Sequence, residues 1–209
     1  MQPKVVVFDF GGVLIDWNPD YLYRKLIADP HERRRFLTEV CSMEWVIRQD
    51  GGQSLASGTE ELVARFPHEE ARIRAFYDRW EEMIGGVIAE GVQLVDKLEA
   101  AGVPLFGLTN WSNETFPYAW EHFAVLRRFR DVVVSGRVKL VKPDPRIYAE
   151  TFSRIERHLP GTAPGEIVFI DDNPKNAAAA AAAGWHGLHH TSAEATETKL
   201  RALGLPLGD

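Results

Sequence analysis

Four short apolar runs, separated by helical segments, constrain the fold of this chain more than any other feature of its sequence. The runs occupy residues 4–8, 104–108, 131–134 and 166–170. Runs of four or five apolar residues are typical of strands buried on both faces, as in a parallel sheet. Apolar residues with helical spacing lie between them, at 90–101 and 144–158. Because strands alternate with helices, the sequence predicts an α/β fold built on a parallel sheet.

Residues 17–88 depart from this alternation. The segment contains no strand-like run of useful length, whereas helical spacing recurs, most clearly over 70–84, where five apolar residues share one face of a helix. Its positive and negative charges are nearly balanced, which is typical of solvated helix faces. We therefore predict that residues 17–88 form an all-helical cap, and that residues 1–16 and 89–209 form the sheet core.

Charge and cysteine content exclude several classes of protein. The 209 residues carry a formal net charge of -6, which argues against nucleic acid or an anionic membrane as the main partner. The single cysteine, Cys41, cannot form an internal disulfide, and no apolar run approaches the ~20 residues of a membrane span. Asp9 would interrupt the apolar core of a signal peptide. The sequence thus predicts a soluble, cytoplasmic protein and leaves its oligomeric state open.

Acidic residues stand where two of the apolar runs end. Asp9 follows the first run, and Asp171 and Asp172 follow the last. The carboxyl ends of neighbouring parallel strands meet at one edge of a sheet, so these three carboxylates come together if the strands are neighbours. Grouped carboxylates repel each other unless a cation lies between them, and oxygen ligands favour Mg²⁺. The alternative, in which each acid is a turn residue or a helix cap, stays open at this point.

A candidate anion site follows the run at 104–108. Thr109, Asn110, Trp111 and Ser112 combine hydroxyl groups with successive backbone N–H groups ahead of a segment that can begin a helix, and this arrangement favours anions. Lys142 can add a positive charge to the same site. A surface position is the ordinary interpretation of a single lysine, and only the anion loop and the carboxylates argue for a role in the site.

Four motifs of the chain together resemble those of the haloacid dehalogenase superfamily. They are Asp9-Phe10-Gly11-Gly12-Val13-Leu14, Leu108-Thr109-Asn110, Lys142-Pro143-Asp144-Pro145 and Phe169-Ile170-Asp171-Asp172-Asn173. Their order and spacing match, and the resemblance spans the chain, with a helical cap between the first two motifs. It implies a Rossmann-like, three-layer parallel-sheet core and phosphoryl-transfer chemistry, in which the cap closes the site.

The resemblance also implies a nucleophile and a metal site. Asp9 is the expected nucleophile and would form an aspartyl phosphate. The implied ligands of Mg²⁺ are the carboxylates of Asp9 and Asp172 and the backbone carbonyl of Gly11, with Asp171 helping directly or through water.

The remaining site residues are expected to bind a small phosphorylated substrate. Thr109, the N–H of Asn110 and Lys142 would bind the phosphoryl oxygens, with Lys142 counted among the catalytic residues. Trp111 is the best aromatic candidate for a wall of the site, because it follows the anion loop directly. In the cap, four further residues could reach the pocket, although packing or surface positions are the ordinary alternative for each: Trp17, Trp45, Arg48 and Asp50.

One position departs from most phosphatases of the superfamily. They carry a second Asp two residues after the nucleophile, which acts as general acid and base, whereas this chain has Gly11. The chain is therefore similar to the subgroup with Asp-x-Gly, which includes sugar-phosphate phosphatases. Proton transfer to the leaving group then needs another donor, a water molecule, or a leaving group that departs without help. Asp16 is the first candidate donor, and Gly11 is a candidate for a backbone conformation with positive φ.

Three functions follow as alternatives. The leading one is a Mg²⁺-dependent phosphatase acting on a small phosphorylated metabolite, with a sugar phosphate as one candidate substrate. The second is a metal-free 2-haloacid dehalogenase, although that pattern has neutral, serine-rich residues in place of Asp171 and Asp172. The third is a non-catalytic regulatory or interaction protein that keeps the same fold.

Overall fold

A computed structural model describes residues 2–208, and its centre is a five-stranded parallel sheet. The strands of the protein are β1 (Val5–Phe8), β2 (Ile15–Trp17), β3 (Ile84–Val87), β4 (Leu105–Thr109), β5 (Val132–Val134), β6 (Ile167–Asp171) and β7 (His186–His189). The central sheet has the order β5-β4-β1-β6-β7. Val6 lies opposite both Leu105 and Val168, which places β1 between β4 and β6.

Helices cover both faces of this sheet. The helices are α1 (Asp20–Leu26), α2 (Pro30–Arg35), α3 (Met43–Asp50), α4 (Leu55–Arg65), α5 (Glu70–Asp78), α6 (Ala89–Ala100), α7 (Phe116–His122), α8 (Ser135–Val138), α9 (Pro145–His158), α10 (Pro174–Ala182) and α11 (Ala193–Ala202). Val6 and Phe8 pack on one face with α6 and α11, and Val5 and Val7 pack on the other with α9 and α10. Alternate residues of one strand thus enter two separate cores. The predicted α/β, Rossmann-like three-layer core is confirmed.

The alanine run at 177–183 packs closely on the sheet. Asn173 caps α10 by accepting a hydrogen bond from the N–H of Lys175, and Pro174 is the first helical residue. A side chain at Gly187 in β7 would collide with the backbone of Ala177. Small residues are therefore needed where α10 crosses the edge of the sheet.

Residues 17–88 form five helices, as the helical spacing predicts, but the expectation that they contain no strand is wrong. Ile15 pairs with Val87 in an antiparallel ribbon formed by β2 and β3. The two connections between cap and core run side by side there, so their backbone groups pair. Gly85 and Gly86 carry no side chain that could produce an apolar alternation, and Gly86 has φ +114. The ribbon therefore has no strand-like pattern in the sequence.

The predicted helix over 70–84 is also too long. α5 ends at Asp78, a 3₁₀ turn follows at Trp80–Met83, and β3 begins at Ile84. The apolar residues of this segment nevertheless face one core, which is continuous with the core under α6. No helix within residues 2–208 is long and apolar enough to cross a membrane.

Candidate active site

Three neighbouring strands bring the predicted polar residues together. Asp9 directly follows β1, Thr109 ends β4 and Asp171 ends β6, and β1 lies between the other two strands. The carboxylates of Asp9, Asp171 and Asp172 each have an oxygen within 4.8 Å of the others. The predicted meeting of these groups at one edge of the sheet is confirmed.

Lys142 lies inside this cluster and not on the surface. Its ammonium Nζ is 2.9 Å from Oδ2 of Asp9 and 2.7 Å from Oδ2 of Asp171, and it also donates to the carbonyl oxygen of Leu108 at 3.1 Å. The whole side chain of Lys142 is buried. All three donors of the ammonium therefore have partners in the floor of the site.

The side chain of Asn110 holds Lys142 in place. Asn110 Oδ1 accepts from the backbone N–H of Lys142 at 2.8 Å, and its Nδ2 donates to the carbonyl oxygen of Lys142 at 3.1 Å. From the sequence, only the backbone N–H of Asn110 was expected to contact phosphate, and the positioning of Lys142 by the Asn110 side chain was missed. The pairing joins two loops that are 32 residues apart in the sequence.

Asn176 is a second residue that the sequence analysis missed. Its Nδ2 lies 3.1 Å from each carboxylate oxygen of Asp171, and the N–H of Asn173 donates to Asp171 Oδ1 at 2.8 Å. Lys142 Nζ donates to Oδ2 of Asp171 as well, so both oxygens of this buried carboxylate accept hydrogen bonds. A polar residue directly before a run of seven alanines is the signal that could have indicated Asn176.

The electrostatics of the cluster are those of an anionic site with one buried cation. Burial raises the pKa of Asp9 to about 7, with Asp171 and Asp172 acting in the same direction and Lys142 in the opposite one. Burial alone would lower the pKa of Lys142, but the two carboxylates beside it raise it. Burial and the charge of Asp171 also raise the pKa of Asp172. A divalent cation among these carboxylates would relieve their repulsion.

The donor set of this cluster fits Mg²⁺. It consists of oxygen atoms, as a hard cation requires. Asp171 is saturated by its hydrogen bonds, whereas Asp172 is exposed and its carboxylate lies against the backbone at Gly12. A side chain at Gly12 would collide with that carboxylate, and Gly12 has φ +68. Asp9, Asp172 and the nearby backbone of Gly11 are thus the groups available to a metal, and Asp171 faces Lys142.

The glycine with positive φ is Gly12 and not Gly11. A Cβ at Gly11 would meet no atom within 4 Å. The position at which most phosphatases of the superfamily carry their second Asp therefore has room for a side chain in this chain. The backbone gives no reason for glycine at position 11.

A cavity of about 430 Å³ lies above the cluster, between core and cap. Asp9, Lys142 and Asp172 lie at its floor, together with Asn110 and the buried Trp111. The N–H of Trp111 donates to Ser135 Oγ at 2.9 Å, so this part of the predicted anion loop is fixed to the core. Thr109 is buried at the end of β4.

Of the four cap residues that could reach the pocket, two line the cavity and two lie elsewhere. Trp17 and Asp50 line the cavity. Trp45 is buried in the cap, where its Nε1 donates to the carbonyl of Gly58, and Arg48 pairs with Glu61 at the surface. Asp50 therefore brings a carboxyl group from the cap to the same cavity as Asp9.

Asp16, the first candidate for a proton donor, lies elsewhere. Its Oδ2 accepts a hydrogen bond from the hydroxyl of Tyr21 at 2.7 Å, and its carboxylate is packed against Gly85 of the ribbon. Proximity in sequence to Gly11 suggested a place at the entrance of the site. The antiparallel pairing of β2 turns this side chain toward α1 instead.

A family model described as haloacid dehalogenase-like hydrolase matches residues 3–184. The chain belongs to this family. A sesquiterpene phosphatase of Aspergillus oryzae is 26% identical over 212 residues, which cover 96% of each chain. The haloacid dehalogenase-like hydrolase thus has a relative that matches along nearly its whole length.

Solved structures match the fold. A protein of Porphyromonas gingivalis, described as a predicted HAD-like family hydrolase, has a TM-score of 0.70 and 21% identity, over 96% of this chain and 98% of that one. A HAD family enzyme of Bacteroides thetaiotaomicron, solved with magnesium and inorganic phosphate, has a TM-score of 0.62 and 19% identity, over 88% and 91%. A dehalogenase and the L-2-haloacid dehalogenase of Xanthobacter autotrophicus are also among the structural neighbours, at 20% and 19% identity. These likenesses show the shared fold and do not distinguish the reactions.

Proposed function

We propose that this haloacid dehalogenase-like hydrolase is a Mg²⁺-dependent phosphatase of a small organic monophosphate. The observation that carries the proposal is the cluster of Asp9, Asp171 and Asp172 around the single buried Lys142. Such a site binds a divalent cation and then the dianionic phosphoryl group that the cation and lysine can neutralise. The phosphatase among its relatives supports the same reaction.

Each residue has a part in the proposed reaction. Asp9 attacks phosphorus and forms an aspartyl phosphate, which water then hydrolyses. Lys142 orients Asp9 and stabilises the charge on the phosphoryl oxygens, together with Thr109 and the N–H of Asn110. Asp9, Asp172 and the carbonyl of Gly11, with Asp171 behind them, would hold Mg²⁺, which would supply positive charge for binding the phosphoryl group. Trp111 forms part of the wall of the site, and residues 17–88 act as the cap that covers it.

The metal-free dehalogenase alternative is less compatible with this charge distribution. The carboxylate of a 2-haloacid would face three aspartates with only Lys142 to offset them, and no cation would be present. The non-catalytic alternative is opposed by the ion pair of Asp9 and Lys142, because a buried charge pair costs free energy and needs a reason to persist. A sugar phosphate stays one candidate substrate, and a cytoplasmic location and membership of the Asp-x-Gly subgroup stay proposals.

Turnover of p-nitrophenyl phosphate tests this function. We expect hydrolysis with Mg²⁺, loss of hydrolysis with excess chelator, and recovery when Mg²⁺ is returned. Ca²⁺ should support it poorly, because it takes more ligands at longer distances. Release of halide from 2-chloropropionate by chelated enzyme, without phosphatase activity, would establish the dehalogenase alternative instead.

A further inference from the structure

The active-site cavity has a polar wall on the core side and an apolar wall on the cap side. The groups that bind phosphate and metal lie on the core side. The side facing them comes from the cap, and it is apolar: Trp17, Met43, Val46, Ile47, Phe76 and Trp80. A volume of about 430 Å³ falls within the range of pockets that enclose small organic ligands. The organic part of the substrate must therefore contact mainly hydrocarbon.

Polar groups are few in this wall. Within residues 2–208, the cap side chains that line the cavity carry the carboxyl group of Asp50, the hydroxyl of Tyr77 and the indole N–H groups of Trp17 and Trp80. The hydroxyl of Tyr77 donates to Gln49 Oε1 at 3.2 Å. On the core side, the indole Nε1 of Trp111 donates to Thr115 Oγ1 at 3.1 Å. A sugar would bring several hydroxyl groups to a wall that offers them few partners, and unpaired buried hydroxyls weaken binding.

We propose that the substrate is a monophosphate ester of an apolar alcohol, with a hydrocarbon group that fills the space between α3 and the turn at Trp80. Met43 lies at the cavity and is 56% exposed, which is unusual for a large apolar side chain and places hydrocarbon at the opening as well. This inference rests on the proposed phosphatase function and narrows its substrate class.

A series of n-alkyl phosphonates from ethyl to octyl tests the apolar wall without turnover, because the carbon–phosphorus bond is not hydrolysed. With Mg²⁺ present, calorimetry should show Kd falling about two- to fourfold for each added methylene that enters the cavity. In the same preparation, kcat/KM for n-hexyl phosphate should exceed that for glucose 6-phosphate and glucose 1-phosphate at least tenfold. A Kd independent of chain length, or equal preference for the sugar phosphates, would overturn the proposal.

Two variants test whether the apolar wall produces the dependence of affinity on chain length. Met43→Gln and Ile47→Asn each place an amide in the apolar wall and should reduce the ratio of octyl to ethyl affinity about tenfold or more. Val87→Gln is the matched control, because Val87 is an exposed apolar residue on β3 outside the cavity. Its ratio should equal that of the unmodified protein.

The phosphonate series also separates this inference from the proposed function. Chain-length-dependent binding without hydrolysis of any ester would refute the phosphatase function and leave the apolar ligand class standing. Hydrolysis of p-nitrophenyl phosphate, together with a phosphonate Kd that is independent of chain length, would refute the apolar ligand class and leave the phosphatase function standing.

A different observation carries a second inference, which concerns Asp50. This residue ends α3, and its backbone carbonyl accepts a hydrogen bond from Ser135 Oγ at 2.6 Å, so the core fixes the end of the helix over the site. Asp50 lines the same cavity as Asp9 and Gly11, and there is open space beside Gly11. Burial raises the pKa of Asp50 to about 7, while the N–H of Ser112 and the charge of Lys142 act against this shift. Asp50 therefore keeps its proton to far higher pH than an ordinary carboxyl group.

The geometry assigns to Asp50 the protonation of the leaving group, the task for which Gly11 has no side chain. As an oxygen of Asp9 bonds to phosphorus and the ester P–O bond breaks, the proton of the Asp50 carboxyl group passes to the departing alkoxide and yields the alcohol. The Asp50 carboxylate then takes a proton from the water that attacks the aspartyl phosphate, which releases inorganic phosphate and restores both groups.

The dependence of rate on leaving-group pKa tests this assignment. The unmodified protein should show a shallow dependence across aryl and alkyl phosphates. Asp50→Asn should make it steep, with a loss of about 10²–10⁴-fold for alkyl phosphates and a much smaller loss for p-nitrophenyl phosphate. A cap that is merely misplaced would lower all the rates alike and leave the slope unchanged, which would overturn the assignment.

Two further variants complete this experiment. Asp50→Glu keeps the carboxyl group and should restore part of the rate with alkyl phosphates. Asp16→Asn is the control, because Asp16 is an acid near the cap that contacts Tyr21 outside the cavity. Asp16→Asn should leave the slope unchanged, and a steep slope in this variant would contradict the choice of Asp50.

Discussion

Lys142 shows how a buried charge can be retained at low cost. Its ammonium is surrounded by Asp9, Asp171 and the carbonyl of Leu108, so every donor is paired. Removing one member of such a cluster leaves the others as uncompensated buried charges. The contacts that support the proposed reaction thus also keep each buried charge of the site compensated in the folded protein.

Replacement of this lysine is therefore expected to affect both properties. Lys142→Met should abolish phosphatase activity and lower the free energy of unfolding by about 3–5 kcal/mol, because Asp9 and Asp171 lose their shared cation. The double variant Lys142→Met with Asp171→Asn should recover part of that stability without recovering activity. Urea unfolding and p-nitrophenyl phosphate assays measure the two effects. Full activity in the single variant would contradict the role of Lys142.

Gly11 and Gly12 should respond differently to substitution. Gly11→Asp has open space for its side chain and should keep the fold, with turnover of alkyl phosphates equal to or above that of the unmodified protein. Gly12→Ala should collide with the carboxylate of Asp172 and strain a backbone with φ +68, costing about 1–3 kcal/mol and most of the activity. Thermal unfolding and steady-state kinetics compare the pair. Equal behaviour of the two variants would contradict this geometry.

The positions of site residues were predictable where a motif lies at the end of a strand. Asp9, Asp171 and Asp172 follow apolar runs, so their meeting could be inferred from the order of strands and helices. Asn176 and the side chain of Asn110 act through contacts between segments that are distant in sequence, and no local pattern reveals those contacts. Asp50 reaches the cavity because of how the cap packs on Ser135, which periodicity does not encode.

At the scale of elements, apolar runs identified the buried strands. The strands β7 and β3 were missed because neither has an apolar run in its sequence. β7 reads His-Gly-Leu-His and lies at the edge of the sheet, half-buried, so it carries no continuous apolar run. β3 contains Gly85 and Gly86 and pairs only with β2. Both strands are held by their neighbours and have little strand propensity of their own.

The contact between α10 and β7 provides a test of element packing. Gly187→Ala should force the strand away from the backbone at Ala177 and lower the free energy of unfolding by about 1–3 kcal/mol. Ala178→Ser, at an exposed position of the same helix, is the control and should change it by less than about 0.5 kcal/mol. Urea unfolding measures both. An unchanged midpoint for Gly187→Ala would contradict the close packing of this helix.

At the scale of the whole molecule, cap and core share one hydrophobic cluster, and the active-site cavity lies where they meet. Burial at this junction explains why carboxyl groups on both sides, Asp9 and Asp50, have raised pKa values. The protonation of both groups is thus linked to the burial that cap and core provide together, and the stability of the fold should depend on pH.

The sign of this pH dependence follows from Asp50. Its pKa is about 7 in the folded protein and ordinary in the unfolded chain, so the folded state binds more protons between these values. Stability should therefore fall as pH rises from about 4 to 7 and stay low above 7. Lys142 and Tyr77, which face Asp50, do not titrate in this range. Asp50→Asn should reduce the loss of stability between pH 5 and pH 8, and Asp16→Asn should not; urea unfolding at both pH values compares them.

The proposed reaction requires Asp9 as the nucleophile, and acid quenching during the first turnover detects the phosphoryl group that Asp9 would carry. Enzyme mixed with p-nitrophenyl phosphate and Mg²⁺ should yield, after rapid quenching and peptide mass analysis, a phosphoryl group on Asp9. The label should be missing with chelator and in Asp9→Asn, which keeps the shape of the side chain but cannot attack phosphorus. Release of p-nitrophenol in the first turnover with no phosphoryl group on Asp9, or hydrolysis by Asp9→Asn at a tenth or more of the original rate, would contradict the role of Asp9 as nucleophile.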